Sequence, residues 1–430
     1  MAPVAAPGGT VAEQPRIAAE RLRRADRRLR AGAGRTVRLT RYGYGTLMEF
    51  EENLLQAVDI ARQAPSSHNC QPWKLVHIED RRMRAQLLPA HAWPEHGQLL
   101  LLGIDRKRTL RALPSLALEM QLSCGMFLGL LSAAFDALGF DCNWHWLDML
   151  DTQAPAAMPF LQSLEQGHGC RGLVLLALQP QCVPDATALA GLQDSVRQRR
   201  THRAPFAEGS CSDMVLAQLL ERHWPEQLTG DQLHIQMERS PAFIARAADL
   251  VRQFAALDFS SYRAWKETYR YLHFDPRKPA EDGFYLHSLM GPMSPLRTRI
   301  MQCVLAPELM QVLRIVRVPH KMAAQLAALV EDSAQLLLCS LPSDDLASPV
   351  MVQAGARLME VWLNAQRLGL ALHPLSVMLQ HDRARGELQR LAGGDRRIVF
   401  FARLGAIRQR HGECLRRPLA AIIETHGETV

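Results

Sequence analysis

Between residues 64 and 73 the chain reads Ala64-Pro65-Ser66-Ser67-His68-Asn69-Cys70-Gln71-Pro72-Trp73. Two hydroxyls, an amide and several backbone N–H groups fall within a few residues of one tight turn. That donor and acceptor set suits the edge of a planar heteroaromatic. The same residues also suit an ordinary turn capped by Ser66 and Ser67, with Trp73 buried in a core, and composition alone weighs the two readings evenly. A second string, Arg197-Gln198-Arg199-Arg200-Thr201-His202-Arg203-Ala204-Pro205-Phe206, gathers guanidinium forks that match phosphate oxygens bidentately, and Thr201 adds a hydroxyl. Taken alone, such a cluster is more simply a solvated basic turn. A third string, Leu415-Arg416-Arg417-Pro418, says almost nothing by itself.

The first string sits where a helix gives way to a strand. Phe50, Leu54, Leu55, Val58 and Ala61 recur at helical spacing over residues 50–62, Pro65 ends that helix, and residues 73–78 read as a strand. Residues 99–104 form a short apolar run ended by Asp105, consistent with a buried strand. Residues 116–138 carry a long apolar helix pattern with the small residues Ser123, Gly125 and Gly129, and 172–178 is another buried strand. The order then recurs. Gly125 precedes Gly139 by fourteen residues and Gly355 precedes Gly369 by fourteen, each pair spanning a helix that ends at a glycine. The second helix has a strand before it at 335–340 and one after it at 397–403. Two related α+β halves, 46–185 and 186–430, follow from this pattern. Residues 254–321 of the second half have no counterpart. They are rich in aromatics and arginine and broken by Pro276, Pro279, Gly283, Gly291 and Pro292, which predicts a lid, a binding loop or a mobile segment. An amphipathic helix is predicted within it over 296–318.

A chain of 430 residues exceeds what one hydrophobic core usually serves. With 48% hydrophobic and 22% charged residues it reads as an ordinary globular protein. Its net charge of +7 lies wholly in residues 1–48, where ten arginines face three acids. Residues 1–45 therefore read as a basic, flexible extension, and the formally neutral body excludes a nucleic-acid groove. Nine cysteines without a C-x-x-C pair argue against a disulfide framework and a structural zinc site, and for a reducing compartment, the cytoplasm. No secretory signal and no run of about 18 uncharged apolar residues is found, so no membrane association is expected.

Together the three strings resemble the nitroreductase family of flavoproteins, and within it the tandem, Acg-like branch in which two copies of the fold are fused. The resemblance covers nearly everything after residue 46. Ala64 to Trp73 is similar to the family's A-P-S-x-x-N-x-Q-P-W motif, and Arg199-Arg200-Thr201-His202-Arg203 to its R-R-S-x-R phosphate motif with Thr in place of Ser. Asp105 to Arg108, Ser123-Cys124-Gly125, Asp282-Gly283, Gly355 and Arg416-Arg417-Pro418 also look like this branch.

The resemblance implies an α+β fold of two fused nitroreductase-type halves, an intramolecular pseudo-dimer with mixed sheets flanked by helices. It implies FMN as cofactor, clamped at its phosphate by Arg199, Thr201, Arg203 and either Arg416 or Arg417, with Pro65, Ser66, Ser67 and Asn69 supplying the loop. No second loop string follows residue 206, and Arg35-Thr36-Val37-Arg38 makes a poor second clamp, so one composite site per chain is expected. The chemistry implied is hydride transfer from NAD(P)H through flavin N5 to a small-molecule acceptor, without a protein nucleophile, metal or assigned acid or base. His68 reads as a hydrogen-bonding or solvent-facing residue, and Cys70 and Cys124 as small core residues. Fusion supplies the contacts of a homodimer internally, which predicts a monomer as an internal pseudo-dimer, with further oligomerisation left open. Two alternatives stay open: a flavin-sequestering protein with little turnover, its ring covered by 254–321, or a specialised biosynthetic or flavin-cleaving oxidase.

Overall fold

A computed structural model of the chain describes residues 41–88, 97–148, 157–342, 346–407 and 414–427. The chain divides into two compact units, 1–52 and Asn53–Val430. Most of the basic extension expected over 1–45, and Arg35 to Arg38 with it, lies outside the described residues. The first described helix spans Arg41–Ala61, beginning well before Phe50.

Four strands, β1 (Trp73–Ile78), β2 (Gln98–Asp105), β3 (Phe140–Trp146) and β4 (Cys170–Pro180), lie side by side in the order β1-β2-β4-β3, every pair antiparallel. Four more, β5 (His234–Glu238), β6 (Leu336–Leu341), β7 (Leu370–Pro374) and β8 (Arg397–Ala406), repeat that arrangement as β5-β6-β8-β7, again all antiparallel. Helices cover the sheets, so β2 and β6 are buried along almost their whole length and read as continuous apolar runs instead of alternating ones. In both sheets a long helix joins the second strand to the third: Leu116–Ala137 in one, Ser348–Arg367 in the other. Each ends at a glycine in the left-handed region, Gly139 at φ 83° and Gly369 at φ 74°, which terminates a helix at no Cβ cost.

The sequence division at residue 186 assigns the tail to the second half. Its last strand, β9 (Ile423–His426), instead adds parallel to the outer edge of β1 in the first sheet, Leu75 facing Ile423. By length and composition the helix Leu116–Ala137 could cross a membrane, but Glu119 and Asp136 leave no run of 18 uncharged residues in it, and most of it is buried inside the protein, as befits a core helix.

The insertion begins later than Phe254. The helix Pro241–Ser260 runs through that residue, and Phe254, Ala255 and Ala256 belong to a core cluster with Ala323 and Ala327 from the helix Val318–Glu331. Between these two helices lie Tyr262–Arg270, a short parallel pair of Leu272–His273 with Phe284–Tyr285, and the helices Leu286–Met290, Pro295–Val304 and Pro307–Leu313. The single helix predicted over 296–318 is therefore broken. Pro307 cannot donate a backbone hydrogen bond and pushes Ala306 out of the helical region to φ −57°, ψ 136°. The insertion has its own apolar cluster of Trp265, Leu272, Leu286, Leu305 and Met310, in which the Trp265 indole donates to the Leu305 carbonyl at 2.7 Å.

Candidate functional site

After the helix ends, the chain makes a single tight turn at Ser67–Asn69 before entering β1. His68, Asn69 and Gln71 take φ values of 50°, 53° and 52°, left-handed conformations that cost a non-glycine residue about 1–3 kcal/mol each. The contacts that hold them are mostly long-range. Within the loop, the Gln71 amide donates to Ser66 Oγ at 2.9 Å. Asn69 Nδ2 donates to the carbonyls of Gly283 and Leu415, both at 3.0 Å, and its Oδ1 accepts from Arg416 Nη1 at 2.9 Å. Gln71 reaches the Glu281 carbonyl at 2.8 Å and accepts from the Arg417 amide at 2.9 Å. Arg108 pairs with Asp282 and also donates to the Cys70 carbonyl at 2.7 Å. The insertion and the tail thus grip a loop that belongs to the first sheet.

One face of this turn opens on a cavity of about 340 Å³, within the range of small-ligand sites. Pro65, Ser66, Ser67 and His68 line it from the first half, Thr201 and Arg203 from the second. Trp265, Thr268 and Phe284 of the insertion form part of the wall, and the Arg203 guanidinium stands 5.2 Å from the Phe284 ring centre.

Behind Thr201 and Arg203 the positive charge deepens. Arg199 is buried, stacked 5.0 Å from the centre of Trp362, and donates through Nη2 to the Gln63 carbonyl at 3.2 Å. Its Nε and Nη1 are buried without a partner, as is Arg416 Nε. Burial pulls the Arg199 guanidinium down to about 10. Burial would raise the thiol of Cys414, yet the surrounding Arg416, Arg199, Arg200 and Arg203 outweigh it and bring the thiol below its ordinary range. Guanidinium groups buried with unsatisfied donors are costly unless an anion meets them. A phosphate, with its several acceptor oxygens, fits this donor set.

The nitroreductase family profile matches residues 51–95, the segment that carries the Pro65 to Trp73 loop. Over 379 residues the chain is 34% identical to the probable NAD(P)H nitroreductase PigM of Serratia sp. (strain ATCC 39006), spanning 87% of this chain and 94% of that protein. The chain belongs to the nitroreductase family. It is accordingly an oxidoreductase by class. Solved structures with a likeness to it include the FMN-dependent nitroreductase NfnB of Mycobacterium smegmatis in complex with NADPH, 12% identical over 52% of this chain and 95% of that one, TM-score 0.33. Another is NfrA2 of B. megaterium, 12% identical over 55% and 73%, TM-score 0.32.

For this nitroreductase-family chain, the residues expected at the site separate into three groups. Pro65, Ser66, Ser67, Thr201 and Arg203 line the cavity. Arg199 and Arg416 are not among the lining residues but keep buried nitrogens without a partner, Arg199 against Trp362, which does line the cavity. Asn69 and Arg417 do not line it either. Asn69 is occupied as the hub of the loop's long-range contacts. Arg417 spends its guanidinium on the carbonyls of Gln71 at 3.0 Å, Trp73 at 3.2 Å, and Ala421, so of the two tail arginines only Arg416 faces the charged cluster.

Cys70 and Cys124 are buried, and burial pushes both thiols far up, as befits core residues. His68, expected as a hydrogen-bonding or solvent-facing residue, is half-buried. It lines the cavity, stacks 6.1 Å from Tyr271, and is drawn down to about 4, first by burial and then by Arg203. Its ring is neutral at physiological pH.

Sequence reasoning missed Glu119. It lines the cavity from the first long helix, within reach of Gln380 at 3.5 Å, and burial raises its carboxyl against hydrogen bonds from Ser67, Gln380 and Ser376. A signal for it existed: a lone acid in the first turn of a helix otherwise uncharged up to Asp136. Trp362, His373, Ser376 and Gln380, which also line the cavity, lie in stretches that carry no motif.

Proposed function

We propose that this protein is an FMN-dependent oxidoreductase of the nitroreductase type, taking hydride from NAD(P)H and delivering it to a small-molecule acceptor. The observation that carries this reading is the convergence of the Pro65 to His68 turn and the Thr201, Arg203 pair on one cavity, backed by the unsatisfied nitrogens of Arg199 and Arg416. In this reading Arg199, Thr201, Arg203 and Arg416 hold the phosphate, and the turn meets the ring edge through hydroxyls and backbone N–H groups. Bound there, FMN would supply the hydride-transfer chemistry. The chain's own part is positioning and exclusion of water, with the Glu119 carboxyl able to hold a proton at the cavity wall. The halves 46–185 and 186–430 would act as an internal pseudo-dimer in a monomeric protein, each supplying what the other lacks.

A second reading, flavin sequestration, draws support from Trp265 and Phe284, which wall the cavity from the insertion. Anaerobic stopped-flow mixing of purified flavoprotein with NADH and NADPH separates the two. Bleaching of the flavin by either nucleotide supports the oxidoreductase, whereas a ring reduced by dithionite alone supports sequestration. Purified full-length chain that neither carries nor takes up FMN overturns both. A ratio near two FMN per chain, instead of about one, overturns the composite site.

A further inference from the structure

The outer side of the insertion has a composition that the flavin site does not explain. The helix Pro295–Val304 has no buried residue. Leu296, 70% exposed, and Ile300 stand four residues apart on one of its faces. Just beyond, around the next helix, Val312, Ile315 and Val316 are also exposed, Ile315 by 84%. Single exposed apolar side chains are ordinary, but a concentration of large ones marks a contact surface. Between residues 291 and 321 these side chains are interspersed with Arg297, Arg299, Arg314, Arg317 and Lys321, against Glu308 as the one acid.

Apolar side chains set among arginines, with low acid content, match an element that lies in the plane of a membrane surface. We propose that this face of the insertion docks on an anionic lipid bilayer, its arginines and Lys321 meeting the headgroups and its Leu and Ile side chains entering the acyl boundary. Charge selects this occupant. A second copy of the chain would oppose like charge with like charge, and residues 1–48, which carry the whole net charge of +7, have the same sign. The surface also connects to the cavity. Trp265, which lines the cavity, is tied through its indole N–H to the Leu305 carbonyl, in the link between the helices Pro295–Val304 and Pro307–Leu313. Docking would therefore set the insertion wall of the cavity against the bilayer, where an apolar small molecule partitions.

Flotation of the full-length protein with lipid vesicles tests this. Wild type is expected to float with vesicles of phosphatidylcholine mixed with phosphatidylglycerol and to stay behind with pure phosphatidylcholine. The double variant Ile300→Asp, Ile315→Asp should lose about tenfold or more in partitioning while unfolding at the wild-type temperature, because both side chains are exposed. Wild type that does not float overturns the proposal. So does a double variant that floats as well as wild type, which would move the binding to the N-terminal arginines. Concentration-dependent dimerisation abolished in that variant, without vesicle binding by wild type, would assign the face to a second copy instead.

Discussion

Gly125 and Gly355 meet backbone to backbone where the two long helices cross: a Cβ built on either glycine would lie 2.9 Å from the Cα of the other. The Val352 and Leu122 carbonyls crowd the same points, and neighbouring Gly129 is closed off by Ala356 and Trp224. Two helices from the two halves therefore approach as closely as backbone allows, and the cavity is built on both, Glu119 from one and Trp362 from the other.

That contact leaves no room for a side chain. Gly125→Val and Gly355→Val are each expected to destabilise the protein by about 1–3 kcal/mol or more, read as a drop in unfolding temperature. Because they crowd one contact, the double variant should depart from additivity. Either variant unfolding at the wild-type temperature would show that the helices do not cross there.

Arg203 and Arg417 separate binding from folding. Arg203→Ala should weaken FMN affinity by roughly ten- to a hundredfold, the effect of one charged hydrogen bond, with little change in unfolding of the apoprotein. Arg417→Ala should chiefly lower stability, since its guanidinium satisfies the Gln71 and Trp73 carbonyls. Flavin titration and thermal denaturation of both variants check this, and undiminished FMN affinity in Arg203→Ala removes the phosphate-clamp assignment.

Glu119 should reveal itself through pH. Its carboxyl is raised above the ordinary value of 4.5 in the folded protein, chiefly by burial. The folded state then holds a proton that the unfolded state has released, so stability is fully present below the unfolded value and is lost as pH rises through the folded one. Glu119→Gln should gain in unfolding temperature over wild type as pH is raised from the ordinary carboxyl value through the elevated folded one, while turnover falls. A constant difference across that range would mean that the carboxylate is not buried at cost.

Cys414 reports on the anion site. Its thiol is lowered by the arginines around it, whereas burial pushes those of Cys70, Cys124 and Cys339 up. Near neutral pH iodoacetamide should alkylate Cys414 well before those three, and FMN or inorganic phosphate should slow it. Mass spectrometry of the peptides decides, and labelling indifferent to both anions would place the phosphate elsewhere.

Much of the scaffold was legible because its signals are local. The apolar runs gave β2, β4 and β6 to within a residue or two, Trp73–Ile78 came out as read, and two equally spaced glycine pairs marked the two long helices. Turn chemistry placed Pro65, Ser66 and Ser67, and the arginine string placed Arg203. The break at Pro307 was also written in the chain, but the apolar spacing on either side of it concealed the consequence.

By itself, then, the sequence determined which residues could hold a phosphate and a flat ring, and which helices and strands would carry them. The tertiary structure decided what each does. Asn69 sits in the loop motif, yet its amide is spent on Gly283, 214 residues away, and on Leu415, 346 residues away. β9 follows the second sheet in the chain but hydrogen-bonds to the first. Glu119 has a raised carboxyl because burial in the cavity wall outweighs the hydrogen bonds that Ser376 and Gln380 bring to it from the other half. Turn formation and helical periodicity depend on neighbours a few residues apart, whereas burial and the satisfaction of a given donor depend on chain that returns from hundreds of residues away.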